Sequence, residues 1–265
     1  MVGICEIFLP LERRGRGMGL GHLKFAYLRL FRVSDFEFRI SFSRGGCTVK
    51  IFIDTANLNE IRKAKALGLL DGVTTNPTLL AREGEAMEPL VRKISEEVQG
   101  PVNVEVIGTT CEEMVKEARV MAKWGDKIVI KIPVTHEGLK TVKILCSEGI
   151  MTNVTLVFSA SQAILAAKAG ATYVCPFLGR LDDISLNGLD LIQQIRGIYD
   201  NYEEIETQIV VASVRNPIHV IESGLIGADI ITIPPAVLDQ MIRHPLTEKG
   251  IAQFLEDAKK IGARK

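Results

Sequence analysis

The chain is predicted to be an α/β protein, a (β/α)8 TIM barrel with an extra C-terminal helix, and three observations predict it. From Lys50 onward, short β-branched runs alternate with longer stretches whose apolar residues recur at three and four. Eight such units fill residues 49–265 evenly, at about 27 residues each, with no linker between them. Gly68, Gly125, Gly149, Gly170 and Gly227 stand just past helical stretches, where a residue with positive φ is wanted. A doubly wound sheet is the runner-up, but eight even units favour closure.

The strands are expected at 51–54 (IFID), 72–75 (GVTT), 102–106 (VNVEV), 128–132 (IVIKI), 152–157 (TNVTLV), 172–177 (TYVCPF), 208–213 (QIVVAS) and 229–233 (DIITI). The helices between them are expected at 57–67, 85–98, 110–123, 136–148, 159–169, 188–200, 216–226 and 235–242. A ninth helix, 247–262, carries Ile251, Phe254, Leu255, Ala258 and Ile261 on one face. That stripe needs a partner, either the barrel's own surface or a neighbouring subunit.

Residues 1–48 have a different composition. They hold 8 Lys/Arg against 4 Asp/Glu and six of the ten Phe, while the remainder holds 24 basic against 28 acidic residues. Phe36–Phe42 alternates like a strand, and RRGRG at 13–17 reads as flexible and basic. Lys24, Arg29 and Arg32 interrupt the apolar stretch, which argues against a signal peptide, and four acidic residues argue against a transit peptide. The segment is expected to be a misassigned start, with Val49 as the true one, or a disordered extension; a basic arm that docks a partner is the alternative.

Over the whole chain, 32 basic and 32 acidic residues balance, which argues against nucleic-acid binding as the main task. Five cysteines without a CxxC pair fit a reducing cytoplasm better than a disulfide framework or a zinc site. No apolar run approaches the roughly 18–20 residues of a spanning helix. The four histidines show no ligand spacing, so no metal is expected, and no P-loop or GxGxxG appears.

In a parallel barrel the loops after the strands build the active site, so polar strand ends are the candidates. Lys131 lies in the apolar run IVIKIPV. It reads either as half of a structural ion pair or as a Schiff-base lysine made nucleophilic by lost hydration. Asp54 ends the first strand and could also cap the next helix. Glu105, between Val104 and Val106, is expected to face inward on the side of Asn103, as Asn153 shares a side with Thr155. A lysine, two carboxylates and hydroxyl or amide groups in one mouth suit carbonyl chemistry with proton transfers. Ser213 and Arg215 precede the helix start Asn216-Pro217, and Arg180 follows strand six; each arginine reads as a rim ion pair or as a phosphate ligand.

IFIDTAN (51–57), GVTTNPTLL (72–80), VIKIPVT (129–135), TNVTLVFSASQA (152–163), PFLGRLDD (176–183) and VASVRNP (211–217) together closely resemble transaldolase. The small subgroup that includes fructose-6-phosphate aldolase fits the length best. The resemblance covers residues 49–265 and has no counterpart for 1–48. It implies transfer of a three-carbon dihydroxyacetone unit from a ketose phosphate, sedoheptulose 7-phosphate or fructose 6-phosphate, to an aldose phosphate in the pentose phosphate pathway. It implies no metal or organic cofactor, because a protonated imine serves as the electron sink.

By that resemblance Lys131 matches the Schiff-base lysine, Asp54 the acid/base aspartate and Glu105 the strand-three glutamate. Thr155 matches the threonine that helps Glu105 hold a catalytic water. Asn76 and Asn153 match substrate-hydroxyl and lysine-positioning amides, and Thr74 the neighbouring hydroxyl. Ser213, Arg215 and Arg180 match the phosphate grip. Fructose-6-phosphate aldolase carries Gln at the place of Glu105 and Tyr at that of Phe177, so both are of the transaldolase type. Cys175 departs from the usual Ser. The resemblance further implies a cytoplasmic, pentamer-based decamer with the 247–262 helix packed on a neighbour. An aldolase that releases dihydroxyacetone and a non-catalytic sugar-phosphate-binding barrel are the alternatives.

Overall fold

A computed structural model describes residues 49–262, and the expectations for the segment before Val49 fall outside them. Eight strands form the centre: β1 (Lys50–Asp54), β2 (Gly72–Thr74), β3 (Val102–Glu105), β4 (Ile128–Pro133), β5 (Thr152–Val157), β6 (Tyr173–Pro176), β7 (Gln208–Val211) and β8 (Ile230–Ile233). Each pairs in parallel with the next, and β8 returns to pair with β1, so the barrel closes. The helices are α1 (Leu58–Ala66), α2 (Pro77–Arg82), α3 (Met87–Glu97), α4 (Cys111–Met121), α5 (His136–Ser147), α6 (Ala160–Ala169), α7 (Leu178–Asp182), α8 (Gly188–Tyr199), α9 (Pro217–Ile226), α10 (Pro235–Ile242) and α11 (Pro245–Gly262).

Two short helices, α2 and α7, are additions to the expected set, and both sit on the mouth side of the barrel. Local chemistry forms α2: the Asn76 side chain accepts from the Leu79 amide, and Pro77 occupies the first helical position. Both are too short for a periodic apolar signal. The glycine expectation holds at Gly68, Gly149, Gly170 and Gly227, all at positive φ. Gly125 is different. A Cβ there would stand 2.0 Å from Ser95 Oγ, so its need is for space rather than for φ.

Strand alternation sorts the side chains into two environments. Ile53, Val73, Val102, Val104, Ile130, Ile132, Val154, Val174, Ile209, Val211, Ile231 and Ile233 face outward and join the layer beneath the helices. Phe52, Val129, Tyr173, Val210 and Ile230 face inward and pack together as an apolar plug, with Cys175 and Ala212 against it. The Phe52 ring fits because Gly72 faces it, where a Cβ would come within 2.6 Å of the ring. Further along the same inward-facing positions the residues turn polar: Asp54, Thr74, Asn103, Glu105, Lys131, Asn153 and Thr232. The plug forms one end of the barrel interior and the polar groups form the other.

The helix at 247–262 is present as α11. Its apolar residues Leu246, Ile251, Phe254, Leu255 and Ile261 are all exposed, from 54% to 75%. Ile218, Ile221 and Leu225 form a second exposed stripe, on α9. Among the described residues no helix is long and apolar enough to cross a membrane.

Candidate active site

Parallel register brings the polar strand ends together. Asp54 pairs with Thr74 across β1–β2, Glu105 with Lys131 across β3–β4, and Lys131 with Asn153 across β4–β5. Lys131 is 3% exposed. Its Nζ donates to the Thr75 carbonyl at 2.9 Å and stands 3.5 Å from Glu105 Oε2. The apolar neighbours Ile130 and Ile132 face the helices, not the amine. Lys131 is buried among carboxylates, amides and a carbonyl, not among the Ile residues beside it in sequence. A buried cation is tolerated where opposite charge and hydrogen bonds replace water.

Asp54 does not cap the next helix. Asn57 does, accepting from the amides of Asn59 and Glu60, which leaves Asp54 free to turn inward. Asp54 Oδ1 accepts from Thr74 Oγ1 at 2.7 Å, and Thr74 Oγ1 lies 2.5 Å from Thr232 Oγ1 of β8. Burial pushes the Asp54 carboxyl above the ordinary aspartate range, opposed by the Lys131 charge and the Thr74 hydrogen bond. Part of Asp54 still borders the cavity.

Asn153 and Thr155 both face inward on β5. Asn153 Nδ2 donates to Asn103 Oδ1 at 2.9 Å, and Asn103 in turn donates to the Val73 carbonyl. Among the described residues, the buried Asn153 Oδ1 has no hydrogen-bond partner. Beyond Thr155 the strand bulges: Leu156 takes φ 58, and the register with β6 shifts between Val154 and Val157. Cys175 lies beside the Thr155 hydroxyl. Burial pushes its thiol up to about 12, so it stays neutral.

A cavity of about 220 Å³ opens above these groups. Asp54, Thr74, Asn76 and Lys131 border it on one side; Phe177, Arg180, Ser213 and Arg215 border it on the other. Glu105, Asn153 and Thr155 do not border it. The Arg180 guanidinium sits 5.0 Å over the Phe177 ring, and that ring meets Phe158 edge-on. Arg215 does form a rim ion pair, with Asp183 at 2.7 Å, both side chains being more than half exposed. The pair fixes one edge of the guanidinium and leaves four other N–H groups to aim elsewhere.

The loop holding Ser213 and Arg215 is shaped by its neighbours. Ser213 adopts φ 60, which is uncommon for a residue with a side chain. Gly179 of α7 lies so close that a Cβ would stand 2.0 Å from the Ser213 carbonyl and 2.7 Å from Arg215 Nε. His219 of α9 ties the loop down: its Nδ1 accepts from the Arg215 amide, and its Nε2 lies 3.2 Å from Asp182. Asp182 also accepts from the Gly188 amide at the start of α8.

Of the residues expected at the mouth, Asp54, Thr74, Asn76, Lys131, Phe177, Arg180, Ser213 and Arg215 border one cavity, and Glu105, Asn153 and Thr155 do not. Residue-type reasoning missed Thr75, which contributes only a carbonyl, and Thr232, which reads as one more β-branched strand residue in DIITI. His219 and Asp182 were equally silent, because their pairing depends on how α7 and α9 meet. Among the described residues, no group of three or more His, Cys, Asp and Glu side chains could hold a metal ion.

Comparison with known proteins points to one family. A family model described as transaldolase/fructose-6-phosphate aldolase matches residues 51–265. A probable transaldolase of Maridesulfovibrio salexigens is 57% identical over 213 residues, 80% of this chain and 99% of the relative. One from Clostridioides difficile is 58% identical over 209 residues, 79% of this chain and 96% of the relative. One from Aquifex aeolicus is 55% identical over 213 residues, 80% of this chain and 98% of the relative. Among solved structures, thiamine phosphate pyrophosphorylase from Pyrococcus furiosus superposes with a TM-score of 0.50 at 18% identity, covering 71% of this chain and 87% of that one. The N-acetylmannosamine-6-phosphate 2-epimerase from Clostridium perfringens gives 0.51 at 12% identity, with the same coverage. At that identity the likeness concerns the fold alone.

Proposed function

The chain belongs to the transaldolase/fructose-6-phosphate aldolase family, and on that premise we propose that it is a transaldolase working through a Schiff base on Lys131. The observation that carries the proposal is the placement of Lys131. Its amine lies on a cavity wall between two carboxylates, and two arginines stand at the far rim. A buried amine facing a cavity suits attack on a carbonyl, and the arginines suit a phosphate.

In this mechanism the Lys131 amine attacks the C2 ketone of fructose 6-phosphate or sedoheptulose 7-phosphate, whose phosphate rests on Ser213, Arg215 and Arg180. Glu105, with Thr155, handles the water lost as the carbinolamine becomes an iminium, and Asn153 keeps the lysine in place. Asp54 takes the C4 hydroxyl proton; its carboxyl lies above the ordinary range, which makes it the stronger base. The C3–C4 bond breaks, its electrons flow into the iminium, and an aldose phosphate departs. The enamine left on Lys131 attacks the aldehyde of a second aldose phosphate, with Asp54 returning the proton. Thr74 orients Asp54, Asn76 and Phe177 border the sugar, and Cys175 borders the same cavity with a neutral thiol where the family usually has a hydroxyl.

Borohydride trapping with fructose 6-phosphate, followed by peptide mapping, tests the proposal. The expected result is a three-carbon adduct on Lys131, absent in Lys131→Met; trapping retained in that variant would refute the assignment. Transfer is separated from cleavage by assaying fructose 6-phosphate with and without erythrose 4-phosphate. Turnover indifferent to the acceptor would point to the aldolase activity instead.

Two further proposals concern the molecule around the site. The exposed stripes on α11 and α9 support an oligomer in which α11 packs on a neighbouring subunit, in keeping with the decamer that the family resemblance implies. A monomer in analytical ultracentrifugation would exclude it. For residues 1–48 we propose an unmatched extension that the chemistry does not use. Detection of a peptide spanning Phe36–Phe42 in native cells would show that it is translated.

A further inference from the structure

Thr232 takes no part in the chemistry above, yet its hydroxyl is buried at 2% exposure directly beside the acid/base group's own partner. We propose that Thr232 is a positioning residue for Asp54: through Thr74 it orders the carboxyl and lets it change protonation without moving any heavy atom. The proposal rests on the reading of Asp54 as the acid/base group.

The barrel's closure creates the arrangement. β1 is flanked by β2 and β8, so Asp54 has Thr74 on one side and, through Thr74, the Thr232 hydroxyl of the last strand. The two hydrogen bonds, 2.7 Å to Asp54 and 2.5 Å between the hydroxyls, form a chain of three groups. Each hydroxyl has one proton to give. An ionised carboxylate only accepts, so Thr74 must donate to Asp54. Thr74 then has nothing left to donate, and the Thr232 contact must run from Thr232 to Thr74.

When Asp54 takes the substrate proton on its other oxygen, Oδ2, Oδ1 goes on accepting from Thr74 and the chain keeps its direction. Both protonation states are thus matched by the same oxygen positions, and no reorganisation precedes the proton's return. Aligned hydroxyls also strengthen each other's hydrogen bonds, so the pair stabilises the ionised state more than Thr74 alone. The charged groups that reach Asp54 are Lys131 from β4 and, in the same interior, Glu105 from β3. Thr74 and Thr232 are neutral, so replacing Thr232 alters no charge around the site.

The experiment compares Thr232→Val and Thr232→Ser with the full chain in the fructose 6-phosphate and erythrose 4-phosphate assay across pH, with thermal melts alongside. Valine keeps the shape and removes the hydroxyl. The expected result is a kcat lowered by about three- to tenfold, a KM close to that of the parent, and an acidic limb displaced to higher pH. Serine should restore both the rate and the limb. A valine variant whose pH profile superimposes on that of the parent overturns the proposal, whether or not its melting temperature falls. Should the valine protein not fold, Thr232→Ala carries the same comparison. Asp54→Asn distinguishes the two levels: if it keeps its activity, the reading of Asp54 fails, whereas its inactivity beside an unmoved Thr232→Val profile rejects only the role of Thr232.

Discussion

On the proposed reading, Gly179→Ala separates the phosphate grip from the lysine. The new methyl carbon would fall 2.0 Å from the Ser213 carbonyl oxygen and 2.7 Å from Arg215 Nε. Since side-chain carbons keep about 3.0 Å or more from such atoms, the loop must retreat by about 1 Å. That distance is enough to break one charge-assisted hydrogen bond to a phosphate, worth about 1.5–3 kcal/mol. At 1.36 kcal/mol per tenfold, kcat/KM for fructose 6-phosphate should fall by about 10- to 150-fold. Dihydroxyacetone carries no phosphate and does not reach the rim. Its borohydride trapping on Lys131 should therefore proceed at the parent rate. The assay is the ratio of the two, measured on protein shown to be folded by its thermal melt. Equal losses with both ligands, or no loss with fructose 6-phosphate, would refute the reasoning that Gly179 serves the phosphate loop.

Asp54→Asn should cost about 10²- to 10⁴-fold in turnover, as loss of a general base does, while making the fold more stable at pH above the raised value of the folded carboxyl. The folded carboxyl lies above its ordinary range, so holding it ionised costs stability at high pH. The advantage of the variant should fade as pH falls through the folded value toward the ordinary one, and paired thermal melts would show the two curves converging in acid. Gly72→Ala puts a methyl carbon 2.6 Å from the Phe52 ring, and overpacking of about 1–3 kcal/mol should lower Tm by several degrees, with Phe52→Leu restoring part of the loss. Asp182→Ala removes the acceptor shared by His219 and the Gly188 amide; KM for the sugar phosphate should rise about three- to tenfold in steady-state assays while kcat changes little.

The barrel was legible because its strands are short, even and β-branched, and because polar residues recur where each run ends. Lys131 is the clearest case: a charge inside IVIKIP must find either an ion pair or a chemical role. Its surroundings were not legible, since alternation sends Ile130 and Ile132 to the opposite face and the true neighbours come from β2, β3 and β5. Asp54 was ambiguous until Asn57 took the capping role three residues on. Gly125 and Gly179 were beyond reach for a related reason. Each is required by a contact with a distant segment, Ser95 in one case and Ser213 in the other, and nothing local encodes it. Thr232 illustrates the hardest class. Its residue type is what any strand would use, and only closure of β8 against β1 gives the hydroxyl a task.

The apolar plug of Phe52, Val129, Tyr173, Val210 and Ile230 has a kinetic corollary. Among the described residues that end of the barrel is stoppered, so a substrate of Lys131 would come and go at the other end. On the proposed mechanism a departing aldose phosphate and its successor would share that passage, while the enamine held on Lys131 is what would give double-substitution kinetics, with parallel lines in reciprocal plots. The first product should compete with the acceptor for the same vestibule, so a cell that accumulates one would throttle the other without any dedicated regulatory site.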